Sequence, residues 1–201
     1  MQQTKFKQTE IGVIPEDWEI KSLGTISYIF RGASPRPIDD PKWFTDDSSV
    51  GWVRISDVTK SNKYLLNTTQ KLSAEGIKKS RPVNKDNLIM SICATVGRPI
   101  ITQIDVCIHD GFVVFDKLQE NQEYVYYYLT AIEDKWSRHG QTGSQMNLNT
   151  ALIKNEKIPL PWHYGPDLGK LVFFHQTRPH RCLTGGPGQF AHCDLFSYAG
   201  S

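Results

Sequence analysis

The sequence has no Cys-x-x-Cys pair, although it holds four cysteines (Cys93, Cys107, Cys182, Cys193). Their wide spacing argues for free thiols rather than a disulfide framework. No run approaches the ~18 to 20 consecutive apolar residues that a membrane span needs, and Met1 to Glu10 is polar, with no signal-peptide core. A soluble, cytoplasmic protein with no membrane contact is the expectation. Enzyme signatures are scarce too. GxxxxGK[ST], HExxH and GxSxG are absent, which removes the commonest phosphate-loop, zinc-protease and serine-hydrolase readings. The Asn/Asp-Pro-Pro-aromatic run with which amino-methyltransferases hold a flipped base is missing as well.

Large charge of one sign is also lacking: 23 basic against 21 acidic residues leave +2. Position is more informative than the total. Eight basic residues (Arg54, Lys60, Lys63, Lys71, Lys78, Lys79, Arg81, Lys85) face only Asp57 and Glu75 between residues 54 and 85, while five acids (Asp116, Glu120, Glu123, Glu133, Asp134) face Lys117 between 116 and 134. A one-sided field of this kind steers a polyanion, although charge runs commonly form solvated faces. Hydrophobic residues make up 39% of the 201, enough for a real core in one domain with a short appendage.

The first ten residues read as a loose arm, after which Trp18 and Leu23 are candidate buried anchors. Short apolar runs at Ile26–Phe30, Val50–Ile55, Tyr64–Leu66, Leu88–Cys93, Ile100–Ile108 and Phe112–Phe115, separated by Gly, Asn, Asp or Pro, predict strands. Arg31 to Pro37 is a proline-rich loop. Val125, Leu129, Ile132 and Trp136 form one apolar stripe and predict a helix over Gln122–Trp136. A polar loop from Gly140 to Asn149 follows, in which Asn147 or Asn149 caps a short helix through Leu152 and Ile153. Lys157–Pro161 reads as an edge strand. The fold class is therefore α+β, mixed and β-rich with a few short helices. A boundary near Trp162 divides residues 1–161 from an atypical tail, 162–201, which contains four of the six histidines and Gly185-Gly-Pro-Gly188.

Several groups invite chemistry. Asp39-Asp40-Pro-Lys42 and Glu133-Asp-Lys135 set carboxylates beside lysine as metal nucleases do, but such short patterns are commonly surface. His109-Asp110 orients an imidazole without a nucleophile tied to it, and is more often a strand-end histidine. The tail's His175, His180, Cys182, His192 and Cys193 lack the tight pairing of structural zinc sites. Nucleic-acid contact has richer material. Arg31, Ser34, Arg36, Arg54, Asn62, Lys63, Gln141, Ser144, Gln145 and Asn147 are candidates for base-proximal loops, because arginine pairs with guanine and carboxamides with adenine. Lys60, Lys78, Lys79, Arg81 and Arg98 are candidates for phosphate contacts, which position a protein and make binding salt-sensitive.

Six segments together carry a resemblance: Ile14–Gly24 (Ile-Pro-Glu-Asp-Trp-Glu-Ile-Lys-Ser-Leu-Gly), Gly32-Ala-Ser-Pro35, Trp52-Val-Arg-Ile55, Cys93-Ala-Thr-Val-Gly97, Thr142–Leu148 and Ile158-Pro-Leu-Pro161. Over residues 11 to 161 their order and spacing resemble the target-recognition domain of type I restriction–modification specificity (S) subunits. The resemblance implies a domain that reads one half of a bipartite double-stranded DNA target and performs no chemistry itself. It implies a modification (methyltransferase) subunit as partner and, through it, a restriction/translocase subunit. S-adenosylmethionine, ATP and Mg would belong to those partners, with no cofactor in this chain. One departure stands out. In the family the Ile-Pro-Leu-Pro exit leads into a long spacer helix, whereas Trp162-His-Tyr-Gly-Pro166 follows here without heptads, so the expectation is a recognition domain lacking that helix. Two other classes of function remain open: a protein-interaction scaffold of the same complex, using the acidic helix with Tyr124, Tyr126, Tyr127 and Tyr128, and a metal-dependent hydrolase using the His/Cys tail.

Overall fold

The computed structural model describes residues 5–139 and 148–161. Two units are distinguished, one of Ser22–Glu156 and one containing residues up to Lys21 and from Lys157 onward.

The smaller unit holds a hairpin, β1 (Phe6–Thr9) with β2 (Gly12–Pro15), and a two-stranded sheet of β3 (Glu19–Ser22) and β13 (Lys157–Leu160). Residues 6–9, expected as a loose arm, are thus paired: Lys7 faces Ile14 across the ladder, and Gly12, at a φ of 113°, makes the turn that a side chain would strain. Trp18 is half-buried rather than a full anchor, while Leu23 is fully enclosed.

The larger unit is two sheets packed face to face. Sheet I has the order β4 (Tyr28–Arg31), β12 (Phe112–Asp116), β9 (Leu88–Ser91), β10 (Pro99–Thr102), β6 (Tyr64–Leu65). Sheet II has the order β7 (Gln70–Lys71), β5 (Gly51–Val53), β11 (Val106–Ile108), β8 (Arg81–Val83). Strand alternation sorts the side chains. Ile89, Ile100, Phe112 and Val114 from sheet I meet Val53, Val83, Val106 and Ile108 from sheet II in one buried cluster. On the outer face of sheet II, Trp52 and Cys107 pack with Leu72 and Trp43, the last from a 3₁₀ turn at Pro41–Trp43. Helix α1 (Leu23–Ile26) and helix α6 (Thr150–Asn155) pack by β4, and α4 (Gln122–Ala131) packs by β10. The mixed, β-rich α+β reading holds.

Differences from the sequence reading are local. The apolar run Ile100–Ile108 is two strands in different sheets, because the polar turn Gln103–Asp105 lets the chain cross between them. Ile26 closes α1 instead of opening β4, and Ile55 opens α2 (Ile55–Lys60) instead of ending β5. The single helix expected over Gln122–Trp136 is two. At Ile132 the backbone leaves helical geometry, its N–H shared between Tyr128 and Thr130, and α5 (Glu133–His139) restarts with Glu133 and Asp134 in its favourable first turn. Gly97, at a φ of 88°, lies so close to Trp136 that an added Cβ would stand 2.5 Å from the indole. Of the two expected caps, Asn147 and Asn149, it is Asn149 that caps α6, its Oδ1 accepting from the Leu152 amide at 2.8 Å.

Candidate nucleic-acid interface

Strand register decides where the candidate side chains go. In sheet I, Arg31 lies opposite Val113, Ser91 opposite Phe112 and Pro99 opposite Met90, so the loops after β4, between β9 and β10 and before β12 share one end. β6 runs parallel to β10 and is entered from that same end, which brings Asn62 and Lys63 there. In sheet II, Ile108 lies opposite both Val53 and Arg81, so Arg54 follows β5 and Lys78 to Ser80 precede β8 at a common end. The turn His109–Gly111 joins β11 to β12 and makes the two ends one surface. Ala33 N–H to Ile108 O (3.0 Å) and Gly32 N–H to Phe112 O (2.9 Å) stitch the first loop onto it. Gly32 is required for this approach, since a Cβ there would stand 2.1 Å from the His109 carbonyl oxygen.

At this end Asp110 organises the Arg31–Pro37 loop. Its Oδ1 accepts from Ser34 Oγ at 3.0 Å, its Oδ2 pairs with Arg36 at 3.2 Å, and its backbone oxygen accepts from Arg31 Nε at 2.6 Å. Burial alone would raise the Asp110 carboxyl pKa, but the hydrogen bonds from Ser34 and from its own backbone amide, with the Arg36 charge, hold it below the usual carboxylate range. The Arg36 side chain is still 72% exposed, so its fork faces solvent. Ser80 Oγ donates to the Ala33 carbonyl at 2.7 Å, fastening the segment carrying Lys78, Lys79 and Arg81 to the same loop. Lys78 and Lys79 are exposed, and Arg81 lies 5.8 Å over the exposed Phe30 ring.

Arg54 is set by two partners. Buried Asp57 accepts from the Arg54 amide at 2.9 Å, and Gln70 Oε1 accepts from Arg54 Nε at 2.8 Å, with the guanidinium 5.9 Å over Trp52. Lys60, the last residue of α2, and Asn62 beyond it are exposed. Arg98 reaches the Ser61 carbonyl. Lys63 differs from the others. Its Nζ donates to Glu123 at 2.6 Å and to Tyr127 OH at 3.3 Å, between the rings of Tyr64 and Tyr127, with only 18% of the side chain exposed. Burial disfavours its charge, yet the bonds to Glu123, Tyr64 and Tyr127 win and raise its pKa above the ordinary lysine value. A phosphate would have to compete with Glu123 for it.

The end thus collects Arg31, Ser34, Arg36, Arg54, Lys60, Asn62, Lys63, Lys78, Lys79, Arg81 and Arg98. Gln141, Ser144, Gln145 and Asn147 lie outside the described residues, as does the His/Cys tail. Sequence reasoning missed the organising role of Asp110 and the Glu123 counter-charge, partners 76 and 60 residues from Ser34 and Lys63. The His109-Asp110 pair was the one signal available, and it invited a catalytic reading.

The other candidates resolve differently. Asp40 and Lys42 form their own ion pair at 2.9 Å, and Lys135 binds the buried Glu156 carboxylate at 2.7 Å. Tyr124 and Tyr126 are buried and Tyr127 and Tyr128 half-buried, so the tyrosines of α4 serve largely as packing. Cys107 is enclosed and burial pushes its thiol pKa up to about 11; Cys93 is half-buried in the loop past β9, outside the strand expected for it. Among the described residues no three His, Cys, Asp or Glu side chains gather as a metal site, and no helix is long and apolar enough to cross a membrane.

Residues 15–163 match the type I restriction modification DNA specificity domain. The chain belongs to that family. Two specificity-domain relatives from Methanocaldococcus jannaschii are the putative type I restriction enzyme MjaX specificity subunit, 28% identical over 78% of this chain and 36% of its own, and the type I restriction enzyme MjaIX specificity subunit, 24% identical over 79% and 38%. The specificity-domain chain therefore spans little more than a third of the length of these relatives. Its fold is also that of the HsdS subunit from Thermoanaerobacter tengcongensis, with a TM-score of 0.58 at 18% identity over 78% of this chain and 36% of that one. The S subunit from M. genitalium gives a TM-score of 0.55 at 8% identity, covering 78% and 38%.

Proposed function

We propose that this chain is a non-catalytic DNA-reading module that recognises one half of a bipartite target for a type I restriction–modification complex. One observation supports the reading: cationic side chains and the Asn62 amide from five separate segments share a single end of the sandwich, while the two relatives named as specificity subunits supply the system. Five strands of sheet I span about 19 Å from β4 to β6 at about 4.8 Å each, wider than the ~12 Å major groove, so loops from the middle strands enter the groove as outer ones meet the flanking phosphates. The methyl transfer, and the S-adenosylmethionine, ATP and Mg it and translocation require, fall to a modification subunit and a restriction/translocase subunit.

Selection of randomised duplexes on the intact chain tests this. The expectation is an enriched half-site of a few base pairs whose affinity falls steeply with salt. No enrichment, with binding that ignores salt, contradicts it.

A further inference from the structure

His109 opens the turn that joins β11 to β12 at the proposed DNA-contacting end. The imidazole is held on three sides. Its ring meets Phe112 edge-on at 4.8 Å and Trp52 at 5.8 Å, and its Nδ1 accepts the Gly111 amide hydrogen at 2.9 Å. A nitrogen that accepts carries no hydrogen, so the proton of the neutral ring sits on Nε2. Burial, opposed by Asp110 and aided by Arg54, lowers the pKa and favours that neutral form. Among the described residues, the buried side-chain nitrogens and oxygens without a partner are Trp52 Nε1 and Trp136 Nε1. His109 Nε2 is not one of them, yet it donates to no described residue, and 16% of the side chain is exposed. A fixed, neutral donor thus belongs to a partly exposed side chain within electrostatic reach of Arg54 and next in sequence to Asp110, which anchors Arg31, Ser34 and Arg36.

We propose that His109 is a specificity-determining residue, whose Nε2–H donates to an acceptor on a base edge at the middle of the half-site. The inference rests on the DNA-reading function above. The nearby arginines carry full charge and are held to phosphates by ion pairing, whereas the neutral imidazole has a single directed Nε2–H, and the N7, O6 and O4 acceptors of the major groove are the partners for which such a donor carries sequence information. Its immobilisation between two aromatic rings removes the entropy cost that a flexible side chain would bear on binding.

His109→Phe keeps the ring packing and deletes both nitrogens. Half-site selection on the intact variant should lose preference at one base pair, with affinity for the chosen duplex falling about 5- to 10-fold, the worth of one hydrogen bond. The slope of affinity against salt should not change, because no charge is removed. An unchanged selected sequence, or a loss spread evenly over all positions, overturns the assignment. Should the Phe variant fail to fold, His109→Gln, which supplies both an acceptor and a donor, decides: preference must change at that one pair, and an identical selected sequence overturns the proposal. Absence of any enriched sequence with the unaltered chain is a separate outcome and refutes the DNA-reading function itself.

Discussion

Replacing Glu123 with Gln should lower stability and tighten duplex binding at once. The carboxylate accepts from Lys63 Nζ at 2.6 Å and from Tyr64 OH at 2.7 Å, and it is 53% exposed whereas Lys63 is 18% exposed. Gln keeps an acceptor for both donors and removes only the charge. Solvent screens one partner, so the cost falls between that of a surface pair and a buried one, about 1 to 2 kcal/mol. For a chain of this size that lowers the melting temperature by roughly 2 to 8 °C. The pH dependence has a definite sign. Bonding to Lys63, then to Tyr64, holds the Glu123 pKa below its ordinary value. Its contribution is complete above the usual carboxyl range, near 4.3, and is lost as pH falls through the lower folded-state value. The melting difference between wild type and variant, followed by circular dichroism, should therefore be full at pH 7 and shrink toward zero in acid. Lys63, left without its counter-charge at the proposed DNA-contacting end, should meanwhile strengthen low-salt binding to any duplex. Equal stability at pH 7, a difference that persists unchanged into acid, or weaker binding would refute this account of the node.

Lys78, Lys79 and Arg81 changed together to Ala should reduce the salt slope by about 2.7, so that the wild type loses about 40-fold more affinity than the variant between 50 and 200 mM salt in fluorescence anisotropy. Gly32→Ala pushes a methyl onto two carbonyl oxygens, 2.1 and 2.5 Å away, and should cost at least about 2 kcal/mol in urea denaturation. His109 has a folded pKa lowered by burial, so its share of stability is whole above about pH 6.5 and declines as pH falls toward the lower folded value. Melting curves of His109→Phe against wild type should show that acid-side decline in the wild type only.

Local signals in the chain carried much of the fold. Leu88–Ser91 and Phe112–Asp116 were legible because a run of apolar, β-prone residues ends at turn-formers, and the Asn149 cap because a carboxamide before a short apolar turn has one economical use. Helix α3 (Ala74–Lys78) and β8 were hidden: the first is five residues long, and the second carries Pro82, which suits an edge strand but breaks the usual pattern. The split of Ile100–Ile108 between two sheets depends on pairing partners far along the chain, which no local period encodes. At the end of the sandwich bearing the Arg31–Pro37 loop, the cations were legible as side-chain types, while the amide-rich loop from Gly140 lies outside the described residues. The fastening of the cations was not legible, because Asp110 and Glu123 act across long sequence separations and look like any other surface acids until the sheets form.

On the proposed function, the duplex lies on the end bearing residues 31–36, 54, 60–63, 78–81, 92–98 and 109–111. Hydrogen exchange of the intact chain with and without its selected duplex tests this most directly. Protection should concentrate in those segments and leave the opposite end, Asn84–Asn87 and Gln103–Asp105, unchanged. Protection of that opposite end, with exchange in the Arg31–Pro37 loop and the His109–Gly111 turn unaltered, would contradict it.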